Sequence, residues 1–217
     1  RHKVGYIYYF KLRCPPFFKN NNYYLYLMYP QLLNHVRRYI QLTAPEEELL
    51  CSKMERLIVK KKALLLEPGK MCKGNYFVLN GCVRQYIITN KLTEQITQFG
   101  LESWWIADQE SLVNQKPSNY YIQALEDCEL LLLSEANRVI LFGQVPKMES
   151  YFRIMMQKAF VAVQRRVGFM LNMNDEERYR YFVSLYPGFV QRVPQYMLAS
   201  FLGFTPQFMS RIRAKKV

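Results

Sequence analysis

Histidine is scarce in this 217-residue chain, at two residues, and the five cysteines stand far apart. Cys14, Cys51, Cys72, Cys82 and Cys128, with His2 and His35, form no C-x-x-C pair and no spacing suited to zinc or an iron–sulfur cluster. An odd number of dispersed cysteines in apolar settings points to reduced thiols and a cytoplasmic protein. For Cys72 and Cys82 a buried structural role is a stronger reading than a redox-sensing one. No window holds the roughly 18 consecutive apolar residues of a membrane helix, so no membrane partner is expected. A nucleophile elbow, a phosphate-binding glycine loop and a glycine-rich dinucleotide turn are all missing, which argues against an enzyme. The adjacent carboxylates Glu126 and Asp127 fall in a turn, where solvation accounts for them. No catalytic residue, metal or cofactor is therefore expected.

Acidic residues are also few, 17 against 30 lysines and arginines, and the excess is unevenly spread. Residues 1–29 hold five basic and no acidic residues, residues 30–150 hold fourteen of each, and residues 151–217 hold eleven basic against three acidic. A neutral body with a basic C-terminal region is what attraction to phosphates requires of a two-domain nucleic-acid binder. Residues 1–27 differ from the rest, being dominated by Tyr, Phe, Ile, Lys and Asn. They are expected to be an atypical extension, disordered or non-native translated upstream sequence, with a natural start at Met28. A signal peptide fits poorly, because the short run Val4 to Phe10 is followed by Lys11 without a small-residue cleavage site.

From Met28 the pattern becomes that of a globular protein. Thr43 with Glu46 forms a capping box, and the helix it opens is expected to bury Leu49, Leu50, Met54 and Leu57. Lys60 to Lys62 read as a solvated strand entry. Between Ala63 and Ser134 short strands alternate with turn signals: Ala63 to Leu66, Pro68-Gly69, Tyr76 to Leu79, Asn80-Gly81, Cys82 to Ile88, Asn90-Lys91 and Thr93 to Phe99. A segment with one short helix, Gly100 to Val113, comes next, and Tyr120 to Leu125 and Leu130 to Ser134 complete the set. Asn80-Gly81 is expected to form a type I′ hairpin with both residues at positive φ. Strands at this spacing imply an antiparallel roll or small barrel. After Pro146 an apolar stripe of Met148, Phe152, Met155, Ala159, Ala162 or Val163, Val167 and Met170 predicts a helix over 147–172, with Arg153, Lys158 and Arg165 on its outer side. Its length suits a seam between two copies of the chain. Asn174 and Glu177 form a second capping box, opening a helix through Leu185 that Pro187-Gly188 ends.

The last stretch, QYMLASFLGFTPQFMSRIRAKK from Gln195, fits a helix-turn-helix frame. Leu198, Ala199, Leu202, Phe204, Met209 and Ile212 supply its apolar positions. Ala199 gives the small contact between crossing helices, and Gly203 gives the residue free to take positive φ in the turn. Thr205 is the expected N-cap of the second helix, with Pro206 at its first position. Gln207, Ser210, Arg211, Arg213 and Lys215 then form the expected DNA-binding set, together with Thr205. Glutamine suits adenine, arginine suits guanine, and Lys215 would weaken all DNA alike if lost.

A β-roll, a long helix and a helix-turn-helix in that order resemble the bacterial CRP/FNR transcription regulators, whose sensory half is a cyclic-nucleotide-binding-like roll. The motifs carrying the resemblance are LLLEPG at 64–69, YFVLNGCVRQY at 76–86, GLESWW at 100–105, PSNYYIQALEDCELLLLS at 117–134 and LASFLGFTPQFMSRIR at 198–213. Together they span roughly Gln41 to Val217. The resemblance implies an α+β chain: a sensor roll over residues 28–146, a dimerisation helix over 147–173 and a DNA-binding helix-turn-helix domain over 174–217. It also implies double-stranded DNA and a second copy of the chain as partners, with RNA polymerase as a further candidate. Family members that bind cyclic nucleotide hold the ribose with a Glu in a Gly-Glu step and the phosphate with an Arg. Here Gly100-Leu101-Glu102 offers a displaced version of the first, and Pro117-Ser118-Asn119 stands where the Arg belongs, with Lys116 nearby. Cyclic AMP is therefore not an expected ligand, and the cluster-binding cysteines of oxygen-sensing members are missing. Arg84, Glu102, Trp105 and Tyr121 are the candidate pocket for another small-molecule effector, with Trp104 beside them, although packing roles are the stronger reading for each. The alternative is a signalling or scaffolding module whose C-terminal helices bind protein. Thr205-Pro206-Gln207 stands where the family commonly has Ser-Arg-Glu, so the operator is open, and Arg211 takes the place of the family's second reading arginine.

Overall fold

The structure, a computed structural model, describes residues 7–10, 29–205, 207–208 and 211. Two compact units are present: Arg1–Gln85 with Phe99–Met155, and Tyr86–Gln98 with Met156–Val217.

In chain order the elements are β1 (Ile7–Phe10), α1 (Pro30–Arg37), α2 (Ala44–Ser52), β2 (Glu55–Val59), β3 (Leu64–Leu66), β4 (Gly74–Asn80), β5 (Val83–Ile88), β6 (Glu94–Gly100), β7 (Trp105–Ile106), α3 (Gln109–Asn114), β8 (Tyr121–Ala124) and β9 (Cys128–Ser134). Helices follow: α4 (Glu135–Gln144), α5 (Lys147–Asn172), α6 (Asp175–Leu185), α7 (Pro187–Arg192) and α8 (Gln195–Leu202). The strands form two sheets, one ordered β1-β2-β9-β4-β7 and the other β3-β8-β5-β6. Strand pairs β1–β2, β2–β9, β4–β9, β4–β7 and β3–β8 are all antiparallel, giving the expected roll. Within the N-terminal stretch, Ile7–Phe10 pair with Arg56–Val59.

Strand β9 explains how the first unit is held together. Successive side chains on a strand point to opposite faces, so the run Leu130 to Leu133 divides in two. Leu130 and Leu132 join Leu57, Val59, Tyr76 and Val78 in the interior of the roll. Leu131 and Leu133 join Phe77 under a layer of helices that supplies Leu32, Leu33 and Val36 from α1, Leu50 from α2, Leu141 from α4, and Met148, Tyr151 and Phe152 from α5. A continuous leucine run is thus the signature of a strand covered on both faces.

Two local expectations are corrected. The capping box of α2 forms with both arms, Glu46 accepting from the Thr43 backbone N–H at 2.6 Å, but the helix stops at Ser52. Leu57 lies in β2, because its apolar spacing from Met54 fits a strand facing the roll as well as it fits a helix. Second, Asn80-Gly81 is not a type I′ hairpin. Gly81 has positive φ (102°), Asn80 does not, and the chain passes there from one sheet to the other. Gly81 is required for close approach, since a Cβ there would lie 2.5 Å from Cys128 Sγ and 3.0 Å from the Asp127 carbonyl oxygen. Helix α6 ends at Leu185, just ahead of Pro187-Gly188 as expected, and Pro187 then opens the short helix α7, where a missing N–H costs nothing.

Helix α5 has the expected bounds, but its stripe divides. Met148 and Phe152 are buried, whereas Val163 is 59% and Val167 50% exposed, and Ala159 and Ala162 are also exposed. Asn174 caps α6 through both arms of its box, accepting from the Glu176 and Glu177 amides at 3.0 Å. Cys51, Cys72, Cys82 and Cys128 are buried thiols with no disulfide among the described residues. Burial pushes the Cys51 thiol up to about 12, pushes Cys128 to about 11 and raises Cys72, which disfavours the reactive thiolate. Among the described residues no helix is long and apolar enough to cross a membrane.

Candidate nucleic-acid interface

Helix α8 starts after Pro194 and buries Met197, Leu198, Ala199 and Leu202. Ala199 has no exposed surface, as a steep helix crossing needs of its small residue. Gly203 closes the helix with φ 84°, its N–H donating to the Ala199 carbonyl at 2.9 Å, and the Phe204 N–H reaches the same carbonyl at 3.1 Å. That left-handed residue is the expected glycine stop. Against the turn packs Met170 of α5, whose Cε lies 2.9 Å from where a Cβ at 203 would be.

Beyond the turn, Thr205 acts as the expected N-cap: its Oγ1 accepts from the Phe208 backbone N–H at 3.2 Å. Gln207, Phe208 and Arg211 are helical, and Gln207 and Arg211 are both exposed. Four residues apart, they lie one above the other on the same helix face. Ser210, Arg213 and Lys215, and the helix start at Pro206, lie outside the described residues.

The first turn of α6 supports this pair of helices. Asp175, Glu176 and Glu177 sit where the positive end of the helix dipole favours carboxylates. Arg178, three residues on, pairs with Asp175 and places its guanidinium carbon 5.9 Å from the Phe204 ring centroid. Two further residues bear on α8. Ser200 Oγ donates to the Glu94 carbonyl at 2.9 Å and accepts from the Ile96 N–H at 3.0 Å, while the Gln95 side-chain amide donates to the Ser200 carbonyl. Arg166 donates to the Thr97 carbonyl at 2.6 Å and stacks 4.1 Å from the Phe201 ring centroid. β6 lies at the edge of its sheet, and these side chains satisfy backbone groups that an edge strand otherwise leaves open. Sequence reading missed Ser200, Arg166 and Arg178. Each acts on a partner distant in sequence or through ring stacking, and no local motif marks either.

The candidate effector residues divide among three settings. Arg84 on β5 is buried and donates to Gln123 Oε1 on β8 at 3.1 and 2.7 Å; Tyr121 sits on that same strand β8. Glu102 accepts from the Gly81 N–H at 3.0 Å and so buttresses the crossing between sheets. Trp105 packs between Phe77 and Phe152 at 5.1 Å from each, and its Nε1 donates to the Tyr151 hydroxyl at 2.8 Å. His35 Nδ1 meets the same hydroxyl at 2.8 Å, and burial raises the Tyr151 phenol pKa. Trp104 is 42% exposed. Where the phosphate-binding arginine of the family belongs, Ser118 is buried and its Oγ accepts from the Tyr120 N–H at 2.8 Å, while Lys116 is exposed.

A cyclic nucleotide-binding domain matches residues 56–138. The fumarate and nitrate reduction regulatory protein of Vibrio cholerae is 25% identical over 189 residues, covering 80% of this chain and 74% of that protein. The anaerobic regulatory protein of Haemophilus influenzae is 26% identical over 149 residues, so the match spans 66% of this chain but only 56% of the relative. Among solved structures, the c-di-GMP-responsive global regulator CLP of Xanthomonas campestris has a TM-score of 0.67 at 14% identity, covering 80% of this chain and 91% of that one. A CRP/FNR-family regulator of Eubacterium rectale, described as putative, has a TM-score of 0.62 at 14% identity, covering 82% and 87%. At these identities the two structures speak for the fold alone. With this roll and this order of helices, the chain carries a cyclic nucleotide-binding domain over residues 56–138 and is similar to regulators of the CRP/FNR type.

Proposed function

We propose that the chain is a sequence-specific DNA-binding regulator, active as a homodimer, in which Gln207 and Arg211 read base edges in the major groove. The observation that carries this reading is their joint exposure on one face of a helix that begins at the Thr205 cap, immediately after the left-handed Gly203. An interior role would bury them. Dimerisation is supported by α5, where Phe160, Val163, Val167 and Leu171 are exposed along one chain; a second copy covering this apolar run would set two reading helices about one DNA turn apart. The test is fluorescence anisotropy of the full chain with genomic duplexes at stated salt. Binding that prefers some fragments at least about a thousandfold over bulk DNA supports the reading. Capture of protein partners with no retention of DNA at any salt favours the scaffolding alternative.

The roll takes an effector other than cyclic AMP. Support comes from Pro117-Ser118-Asn119, where no guanidinium stands and the buried Ser118 hydroxyl is engaged by the Tyr120 backbone. A cyclic phosphate there forgoes charge-assisted hydrogen bonds of about 1.5–3 kcal/mol each. Isothermal calorimetry is expected to show no micromolar binding of cyclic AMP or cyclic GMP. Micromolar or tighter binding of either would overturn this part of the proposal.

A further inference from the structure

Between the two exposed residues Gln207 and Arg211 lies an aromatic side chain to which base reading assigns no role. Phe208 is half-buried, and the Arg211 guanidinium carbon lies 5.4 Å from its ring centroid, inside the about 6 Å reach of a cation–π contact. Phe208 meets Phe204 edge-on, with centroids 5.7 Å apart and planes at 65°, an arrangement that the ring quadrupoles favour. Phe204 carries Arg178, which is ion-paired to Asp175 in the first turn of α6. A continuous series of side chains thus runs from a capped, acidic helix start to the exposed arginine.

The chemistry of the guanidinium gives the series its meaning. Stacking uses the flat face of the group and leaves the N–H donors on its edge directed outward, and those donors are the ones that pair with guanine O6 and N7. An exposed arginine without such a support samples many rotamers, and ordering them opposes binding. A ring three residues earlier on the same helix lies beside it and restricts that sampling before DNA arrives.

We propose that Phe208 is a positioning residue for base recognition, holding Arg211 in the orientation that reads a guanine and so shaping sequence preference without touching a base. The proposal rests on the DNA-reading assignment above. Its test compares the full-length wild-type chain with the Phe208→Leu, Phe208→Tyr and Arg211→Ala variants on a randomised duplex library. Phe208→Leu is expected to lower preference about two- to fivefold, the size of an exposed cation–π contact, at the base pair where Arg211→Ala acts. The preference set by Gln207 should persist, and Phe208→Tyr, which keeps the ring face, should retain the wild-type profile. In the free protein, nuclear magnetic resonance should show a ring-current shift of the Arg211 side chain that Phe208→Leu abolishes. An unchanged preference at that base pair, an equal loss at every base pair, or an Arg211 resonance indifferent to Phe208 would each overturn the proposal. If the wild-type chain selects no sequence, the DNA-reading assignment itself fails, and the resonance experiment still judges the contact between the two side chains.

Discussion

Arg211→Ala and Gln207→Ala are each expected to weaken binding to a selected operator by about 1–3 kcal/mol, roughly 5- to 200-fold, with the loss confined to one base pair per half-site. Both side chains are exposed in the free chain. Neither substitution therefore opens a cavity or strands a buried partner, so the melting temperature should hardly move. The loss arises where a bidentate pair of hydrogen bonds, two donors from arginine or a donor and an acceptor from glutamine, is removed from a base edge that water then satisfies less well. Affinity for bulk DNA should change far less, because that affinity comes mainly from phosphate contacts. Competitive anisotropy with single-base operator variants checks the prediction. Uniform weakening across all variants would assign these residues to the backbone instead of the bases.

Gly81→Ala is expected to lower the stability of the first unit by about 3 kcal/mol or more. Two effects combine. A non-glycine residue held at φ 102° carries backbone strain of about 1–3 kcal/mol. The new methyl also meets Cys128 Sγ at 2.5 Å and the Asp127 carbonyl oxygen at 3.0 Å, and such overpacking costs about another 1–3 kcal/mol. For a chain of this size that means an apparent melting temperature lower by about 6–12 °C. Adding Cys128→Ala should recover the part due to sulfur and leave the part due to φ, so a double-mutant cycle separates them. Equal losses in the single and double variants would deny the clash. The Glu102 carboxylate, which accepts the Gly81 N–H, fixes the same crossing from the other side.

Legibility in the sequence followed the range of the interactions concerned. The capping boxes at Thr43 and Asn174, the Thr205 cap and the Gly203 stop are contacts within a few residues, and the sequence displays both partners side by side. The bounds of α5 were legible for the same reason, since Pro146 and a sustained three- and four-residue period mark them. Pairing across the sheets was not. Asn80-Gly81 carries the local chemistry of a hairpin, yet β4 pairs with β7 and β9 while β5 lies in the other sheet, and only distant strands decide that. Leu57 fits a helix from its neighbours and a strand from its place in the roll, and packing chose the strand. Helices α1 and α4 went unread because they are short and become necessary only once β9 is seen to need covering on its outer face. The candidate pocket residues Arg84, Glu102, Trp105 and Tyr121 were gathered by resemblance, and the structure gives Arg84, Glu102 and Trp105 separate duties in sheet, crossing and core.

The most direct measurement is the mapping of genomic fragments bound by the wild-type chain at about 0.15 M salt, the physiological ionic strength. A two-fold symmetric consensus is expected, with half-sites about one helical turn apart, roughly 10–10.5 base pairs centre to centre, and with its strongest positions altered by Gln207→Ala and Arg211→Ala. Fragments retained without any shared sequence, or a consensus that both substitutions leave intact, would contradict that expectation.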